Sequence, residues 1–268
     1  MTPNAASPSS GSLPPHFVAA MVFMYIWKAL VEAYPNGPID NVRGFCAPVL
    51  NEVLGQALDY HVIAYDQAEG KFSTGNPMPL ECGLFGLAFR MQNCCDFFCA
   101  VVYRALRKKL EEVYGAVKMN WVQITFKPLF VMVQSVGEAS YLCRHTAIEI
   151  VLPSGEAFVF DGTTDQYGQP FETHAYLPKQ DHRREHVKPG SQEPDYLSEE
   201  YVSQTYWHIT TDGASNGFYE KGRLLVEELA EELDWEALFK MELAQIRQVV
   251  SPLAQEKFKN LARVARLL

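Results

Sequence analysis

A cysteine, a histidine and an aspartate occur in this order in two short stretches of the chain. The first stretch, Gln92–Phe98, carries Cys94 at the start of a helical pattern. The second, His145–Thr163, is typical of two strands joined by a tight turn, with His145 at its start and Asp161 near its end. In a cysteine nucleophile system the thiolate attacks a carbonyl, the imidazole moves the proton and the carboxylate orients the imidazole. We therefore expect Cys94, His145 and Asp161 to form a catalytic triad.

The turn between the two strands decides how close the histidine and the aspartate can come. Pro153-Ser154-Gly155 is a turn signal. His145 lies nine positions before Ser154 and Asp161 lies seven positions after it. A hairpin that closes near Ser154 therefore places the two on adjacent strands, about one diagonal step apart. The sequence leaves the true register open.

The helix start gives a reason for a reactive thiol at this position. With Asn93 as the N-cap, Cys94 lies in the first turn, where unpaired backbone N–H groups and the helix dipole favour a thiolate and can hold an oxyanion. Helix boundaries shift by a residue or two, so Cys95 competes for the role of nucleophile. Cys82, in the turn-like segment 82–86, is a weaker rival. Taken singly, each of these residues is also compatible with a purely structural role.

The ordered set resembles the transglutaminase-like (papain-like) superfamily of cysteine enzymes. That family's motifs are approximately G-x-C-x-D-[FY]-A, H-[AST]-[WF]-x-E-[VIL]-x-L-P and W-x-x-[FLV]-D-[PA]-T, on a helix and two strands. The matching residues here are Cys94-x-Asp96-Phe97, His145-Thr146-x-x-Glu149-Ile150-x-Leu152-Pro153 and Val159-Phe160-Asp161-Gly162-Thr163. The match spans residues 93–163, about a quarter of the chain. It implies that Cys94 is the nucleophile, His145 the general base and Asp161 the residue that orients the base.

The chain also departs from this pattern at several positions. Gln92 and Asn93 replace small residues before the cysteine, and Phe98 stands where alanine is common. Ala147 replaces the aromatic residue after the histidine, and Gly162 replaces the proline after the aspartate. Arylamine N-acetyltransferases share such a triad, but their Arg-Gly-Gly-x-Cys signature is absent from this sequence.

The resemblance implies a thiol-dependent acyl-transfer enzyme that acts on an amide or thioester carbonyl of a peptide, a protein or a small molecule. The acyl acceptor, water or an amine, remains open. Two alternatives also remain: a catalytically inactive transglutaminase-like binding module, and a coenzyme A-dependent N-acyltransferase. We expect no cofactor and no metal, since nucleotide-binding, zinc-protease and serine-hydrolase motifs are missing and the cysteines show no metal-ligand spacing.

The predicted fold is α+β, with a papain-like or transglutaminase-like core in which the nucleophile helix packs on an antiparallel sheet, flanked by N- and C-terminal helices. Helices are expected over residues 17–33, 40–60 and 93–113, and strands over 120–126, 129–134, 145–152 and 157–161. Residues 62–80 read mostly as loop. A further amphipathic helix around residues 235–250 is expected to end at Ser251-Pro252, with another helix after it.

The predicted domain organisation is a disordered tail (1–15) and one domain (16–268). The domain has its core at about 80–177, a charged loop at 178–198 and a C-terminal helical extension at 199–268. The charged segment 179–193, with His182 and His186, is interpreted as a solvated loop or a lid over the site.

Composition restricts the location and the partners of the protein. The chain has 268 residues, of which 48% are hydrophobic and 21% charged, enough to bury a sizeable core. A net charge of −9 disfavours nucleic-acid binding.

Three of the six cysteines lie within six positions on one predicted helix, which favours free thiols over disulfides and a cytoplasmic location. The apolar run Phe17–Trp27 is too short for a stable membrane span. Oligomeric state remains open.

Overall fold

The computed structural model describes residues 13–34, 39–45, 60–67, 88, 91, 94–133, 144–191, 194–211 and 217–261. Their architecture is α+β, as predicted. The helices are α1 (Pro15–Ala33), α2 (Cys95–Tyr114), α3 (Phe171–His174), α4 (Lys179–His186), α5 (Glu199–Thr211), α6 (Phe218–Glu232), α7 (Trp235–Leu238) and α8 (Leu243–Phe258). The strands are β1 (Ile39–Phe45), β2 (His61–Gln67), β3 (Lys118–Thr125), β4 (Phe130–Val133), β5 (Arg144–Val151), β6 (Ala157–Phe160), β7 (Tyr176–Pro178) and β8 (Asp195–Tyr196).

The larger sheet carries the strands on which the sequence placed the histidine and the aspartate. Its five strands run in the order β7-β6-β5-β3-β8, and every neighbouring pair is antiparallel. A second sheet, in the order β1-β2-β4, pairs β1 with β2 antiparallel and β2 with β4 parallel. Helix α2 packs against β5 and against α1 and α6. The antiparallel sheet with flanking helices therefore confirms the coarse prediction.

Helix α1 is buried on all sides. Its side chains from Val18 to Trp27 are each at most 5% exposed, and the helix packs on α8 and α2. An all-round apolar helix is stable only inside a core or a membrane. By length and composition the whole 19-residue helix could cross a membrane, although its central apolar run alone is too short. However, 78% of its apolar 18-residue stretch is buried inside the protein.

Three segments differ from the sequence-based expectation. Residues 39–45 form strand β1, although Asp40 reads as a helix N-cap; the rest of that predicted helix, up to residue 59, lies outside the described residues. Of residues 62–80, expected as loop, 62–67 belong to β2 between β1 and β4, and 68–80 lie outside the described residues. The charged loop expected over 178–198 contains helix α4. Pairing and burial override weak local signals in these segments.

Helix α8 continues through Pro252, where the sequence predicted a helix end. Proline cannot donate to the carbonyl one turn earlier, which normally costs helix stability. A row of buried side chains at four-residue spacing runs along α8 on both sides of the proline: Ile246, Val250, Ala254 and Phe258. Burial of this stripe against α1 outweighs the missing hydrogen bond.

Candidate active site

His145 and Asp161 meet on adjacent strands as the hairpin geometry predicts. Ile148 pairs with Phe160, so Asp161 lies one diagonal step from His145 across the β5–β6 ladder. Nε2 of His145 is 2.6 Å from Oδ2 of Asp161, and both side chains are completely buried. The turn that sets this register contains Gly155 with a φ of 87°, a value that favours glycine.

The second oxygen of Asp161 is held by the residue two positions later. The backbone N–H of Thr163 donates to Oδ1 of Asp161 over 3.0 Å, and the Thr163 hydroxyl lies 3.3 Å from the same oxygen. Burial acts to raise the pKa of Asp161, but the contact with His145 and these donors outweigh it and lower the pKa. The carboxylate is therefore ionised and fixed in orientation.

The Asp161 carboxylate also determines the charge of His145. Burial disfavours the charged imidazolium, but the Asp161 carboxylate and an interaction with Cys95 together raise the pKa of His145 to about 10. The Asp161 carboxylate accepts a hydrogen bond from Nε2–H, so Nε2 keeps its proton. Nδ1 is therefore the nitrogen that can gain or lose a proton.

Nδ1 of His145 faces an amide that sequence reasoning did not single out. Nε2 of Gln166 lies 3.0 Å from Nδ1 of His145 and 3.2 Å from Oγ1 of Thr163. Gln166 belongs to a short 3-10 helix at residues 164–167, directly after the aspartate strand. No motif in the sequence points to it, because its role depends on how this turn folds back on β5.

Two aromatic rings fix the plane of the imidazole. Phe126 and Tyr167 both meet the His145 ring edge to face, with ring centroids 4.9 Å and 5.2 Å away. The two rings stack on each other at 4.4 Å. His145 therefore has little freedom to rotate, which suits a residue that must present one nitrogen to one partner.

Cys94, the predicted nucleophile, lies beside Tyr219 in the core. It is the N-cap of α2, and its Sγ lies 3.8 Å from the hydroxyl of Tyr219 on α6. Burial raises the pKa of the Cys94 thiol to about 12. The structure brings together two of the three predicted residues, His145 and Asp161, and places the thiol of Cys94 in the core.

Cys95 is the second thiol at the start of α2. It is the first residue of α2, and successive residues on a helix point about 100° apart, so Cys95 turns away from the core. Its side chain is partly exposed, and its electrostatic influence is among the causes that raise the pKa of His145. With Cys95 as the nucleophile Asp96 follows it directly, which differs from the Cys-x-Asp spacing of the resemblance. The rival Cys82 lies outside the described residues.

No family model, curated protein or solved structure matches this chain.

Proposed function

We propose that the protein is a thiol-dependent acyl-transfer enzyme, transglutaminase-like in its chemistry and core fold, in which Cys95 is the nucleophile. One observation carries the proposal: a buried imidazole is held at Nε2 by an ionised carboxylate, and the partly exposed thiol of Cys95, at the first residue of a long helix, helps to raise the imidazole's pKa. Nucleophile, base and orienting group are the three parts that such chemistry needs.

In the proposed reaction the proton of the Cys95 thiol passes to Nδ1 of His145, and the sulfur attacks the carbonyl carbon of an amide or thioester. The resulting oxyanion accepts hydrogen bonds from backbone N–H groups of the first turn of α2, which have no partners within the helix. The imidazolium returns the proton to the leaving amine or thiol, which leaves an acyl group on Cys95. Water or an amine then attacks the acyl thioester and passes its proton to His145. The carbon–sulfur bond breaks, the acid or amide product is released, and His145 returns the proton to the Cys95 sulfur.

Asp161 has two roles in this scheme. Its Oδ2 fixes the tautomer of His145, so that the proton at Nε2 stays in place while Nδ1 exchanges protons with thiol and substrate. Its charge stabilises the imidazolium, since both side chains are shielded from solvent. Thr163 supports both roles by anchoring the other carboxylate oxygen.

A second candidate function is an inactive binding module with the same core. It is favoured by Gln166, whose side-chain nitrogen is directed at Nδ1, the nitrogen that must accept the thiol proton. Catalysis requires this amide to rotate, so that its oxygen accepts from protonated Nδ1. A permanently donating amide would leave the imidazole neutral at Nδ1 and unable to act as a base.

Iodoacetamide labelling near pH 6 followed by peptide mapping tests the proposal. We expect rapid labelling at Cys95, slowed by His145→Gln and by Asp161→Asn. Cys94→Ser is the matched control, which should leave the Cys95 rate unchanged because the two thiols face different surroundings. Labelling that is slow at every cysteine, or fastest at Cys94, contradicts the assignment of Cys95. Rapid labelling then justifies screening amide and thioester substrates with water and amines as acceptors.

A further inference from the structure

A histidine–glutamate–histidine cluster lies between helices α3 and α4. Among the described residues, His174, Glu185 and His186 bring one potential ligand atom each to within 4.8 Å of one another. Nε2 of His174 lies 3.8 Å from Oε2 of Glu185, and the rings of His174 and His186 meet edge to face at 5.2 Å. Donor atoms around a tetrahedral Zn²⁺ lie about 3.4 Å apart, so small side-chain rotations close this cluster around one ion.

The buried member of the cluster has no hydrogen-bond partner in the described part of the chain. His186 is completely buried, and neither of its ring nitrogens is paired there. Buried polar atoms in folded proteins are almost always paired, so two unpaired nitrogens on one ring indicate a missing partner.

His174 is oriented as metal-binding histidines are. Its Nδ1 lies 3.1 Å from the carbonyl oxygen of Pro170, which can only accept, and 2.7 Å from Oγ1 of Thr173. With its proton on Nδ1, His174 can donate to the Pro170 carbonyl or the Thr173 oxygen. Nε2 then presents a lone pair toward the Glu185 carboxylate. Two acceptors that face each other repel, and a cation bound between them would remove this repulsion. A backbone carbonyl at the second ring nitrogen is the usual outer contact of a histidine ligand.

We propose that His174, Glu185 and His186 bind a divalent transition-metal ion, with Zn²⁺ as the best match. Two imidazoles and a carboxylate form a ligand set that zinc accepts, with a fourth position open to water. His174 and Glu185 are partly exposed, which gives the ion a route of entry.

The ion would tie α4 to the backbone next to Asp161. The N–H of Asp161 donates over 2.7 Å to the carbonyl of Ala175, the residue that follows His174. On the other side, Lys179 at the start of α4 pairs at 2.7 Å with the buried Glu149 of β5. A metal bridge at the opposite end of this short helix would hold both of its ends, so we assign the site a structural role.

Zinc titration of metal-free protein in the presence of a chromophoric chelator tests the site. The titration is done in a Cys95→Ser background as well as in wild type, because a thiol beside an imidazole can also bind zinc. We expect one equivalent of Zn²⁺ to bind both proteins and to raise the thermal unfolding midpoint. His174→Gln and Glu185→Gln should weaken binding by about tenfold or more. His208→Gln, at an exposed position on α5, is the matched control and should bind as wild type.

The outcomes separate the alternatives. His186→Asn should also lose zinc, and His174→Gln keeps the test valid if the buried variant fails to fold. Absence of stoichiometric binding, or equal affinity in His174→Gln and wild type, overturns the site. If only Cys95→Ser abolished zinc binding, the ion would be bound at the thiol, and the proposed histidine–glutamate site would also be overturned. None of these results depends on whether the protein is an acyl-transfer enzyme.

Discussion

The ring of Phe98 fills the space in which a side chain at Gly162 would begin. A Cβ atom on Gly162 would lie 2.2 Å from Cε2 of Phe98. The ring cannot move aside easily, since it is completely buried and packs edge to face on Trp27 and Phe160. The large side chain at position 98 therefore requires a residue without a side chain at position 162.

Gly162→Ala tests this relationship. We expect it to lower the free energy of unfolding by about 1–3 kcal/mol, because the added methyl group overpacks the core. The same change in a Phe98→Leu background should cost clearly less, since the shorter side chain frees part of the space. Urea unfolding of the four proteins gives the coupling energy. Equal costs in both backgrounds would show that the strain arises elsewhere.

Gln166 determines whether His145 can accept a proton at Nδ1. In an active enzyme the Gln166 carbonyl stabilises the imidazolium, so Gln166→Leu should slow alkylation of Cys95 about tenfold, the effect of one charged hydrogen bond. Gln166→Glu keeps an acceptor oxygen and should retain most of the rate. The measurement is the iodoacetamide rate at Cys95 between pH 5 and 9. Faster labelling in Gln166→Leu than in wild type would favour the binding module, in which the amide blocks the base.

The His145–Asp161 pair should make stability depend on pH in the alkaline range. The pKa of His145 is raised in the folded state, so its contribution is complete below the unfolded value of about 6.5 and is lost as pH rises towards about 10. The pKa of Asp161 is lowered, so its contribution is lost only in acid. His145→Gln should therefore flatten the stability profile between pH 6.5 and 10 by an amount on the order of a few kcal/mol.

Urea unfolding at several pH values measures this difference. His208→Gln is the matched control, because it removes an exposed histidine and should follow the wild-type profile. Parallel profiles for His145→Gln and wild type would mean that the imidazole does not bind its proton more tightly in the folded protein.

Pro252 offers a simple test of helix α8. Its side chain is exposed, and Pro252→Ala restores a backbone N–H that can donate to the carbonyl one turn earlier. We expect the substitution to raise the free energy of unfolding by about 1–3 kcal/mol. Ser251→Ala, one position earlier in the same helix, should change it far less. A destabilised Pro252→Ala protein would indicate that the helix requires a kink at this point.

The hairpin that joins His145 to Asp161 could be predicted because its signals are local. β-Branched and aromatic residues mark both strands, and Gly155 supplies the conformation that the turn requires. The register of Ile148 with Phe160 confirms the diagonal step that the spacing around the turn predicts.

The sequence could not decide between Cys94 and Cys95 as the nucleophile, because the choice depends on a shift of one residue at the start of the helix. Cys94 is held in the core by Tyr219, which lies 125 positions later in the chain. Such distant contacts leave no local trace. The same holds for Gln166, whose contact with the imidazole depends on the turn after β6.

The missed elements β1 and α4 have a similar explanation. Asp40 is a good helix cap in isolation, but the segment that contains it pairs with β2. The charged composition of α4 predicts a solvated loop, yet His182 and His186, spaced one helical turn apart, are both buried. The strand that pairs with β1 and the surface that buries the histidines of α4 cannot be recognised before the fold is known.

The packing of α1 on α8 has a consequence for how the chain is made. About 210 residues separate the end of α1 from the start of α8. A ribosome that adds about 5–20 residues per second needs about 10–40 s to cover that distance. Throughout that interval α1, the longest apolar helix in the described part of the chain, has emerged while its partner has not. We therefore expect the nascent chain to be a client of chaperones that bind apolar segments, and folding of the N-terminal half to be completed only after translation of α8.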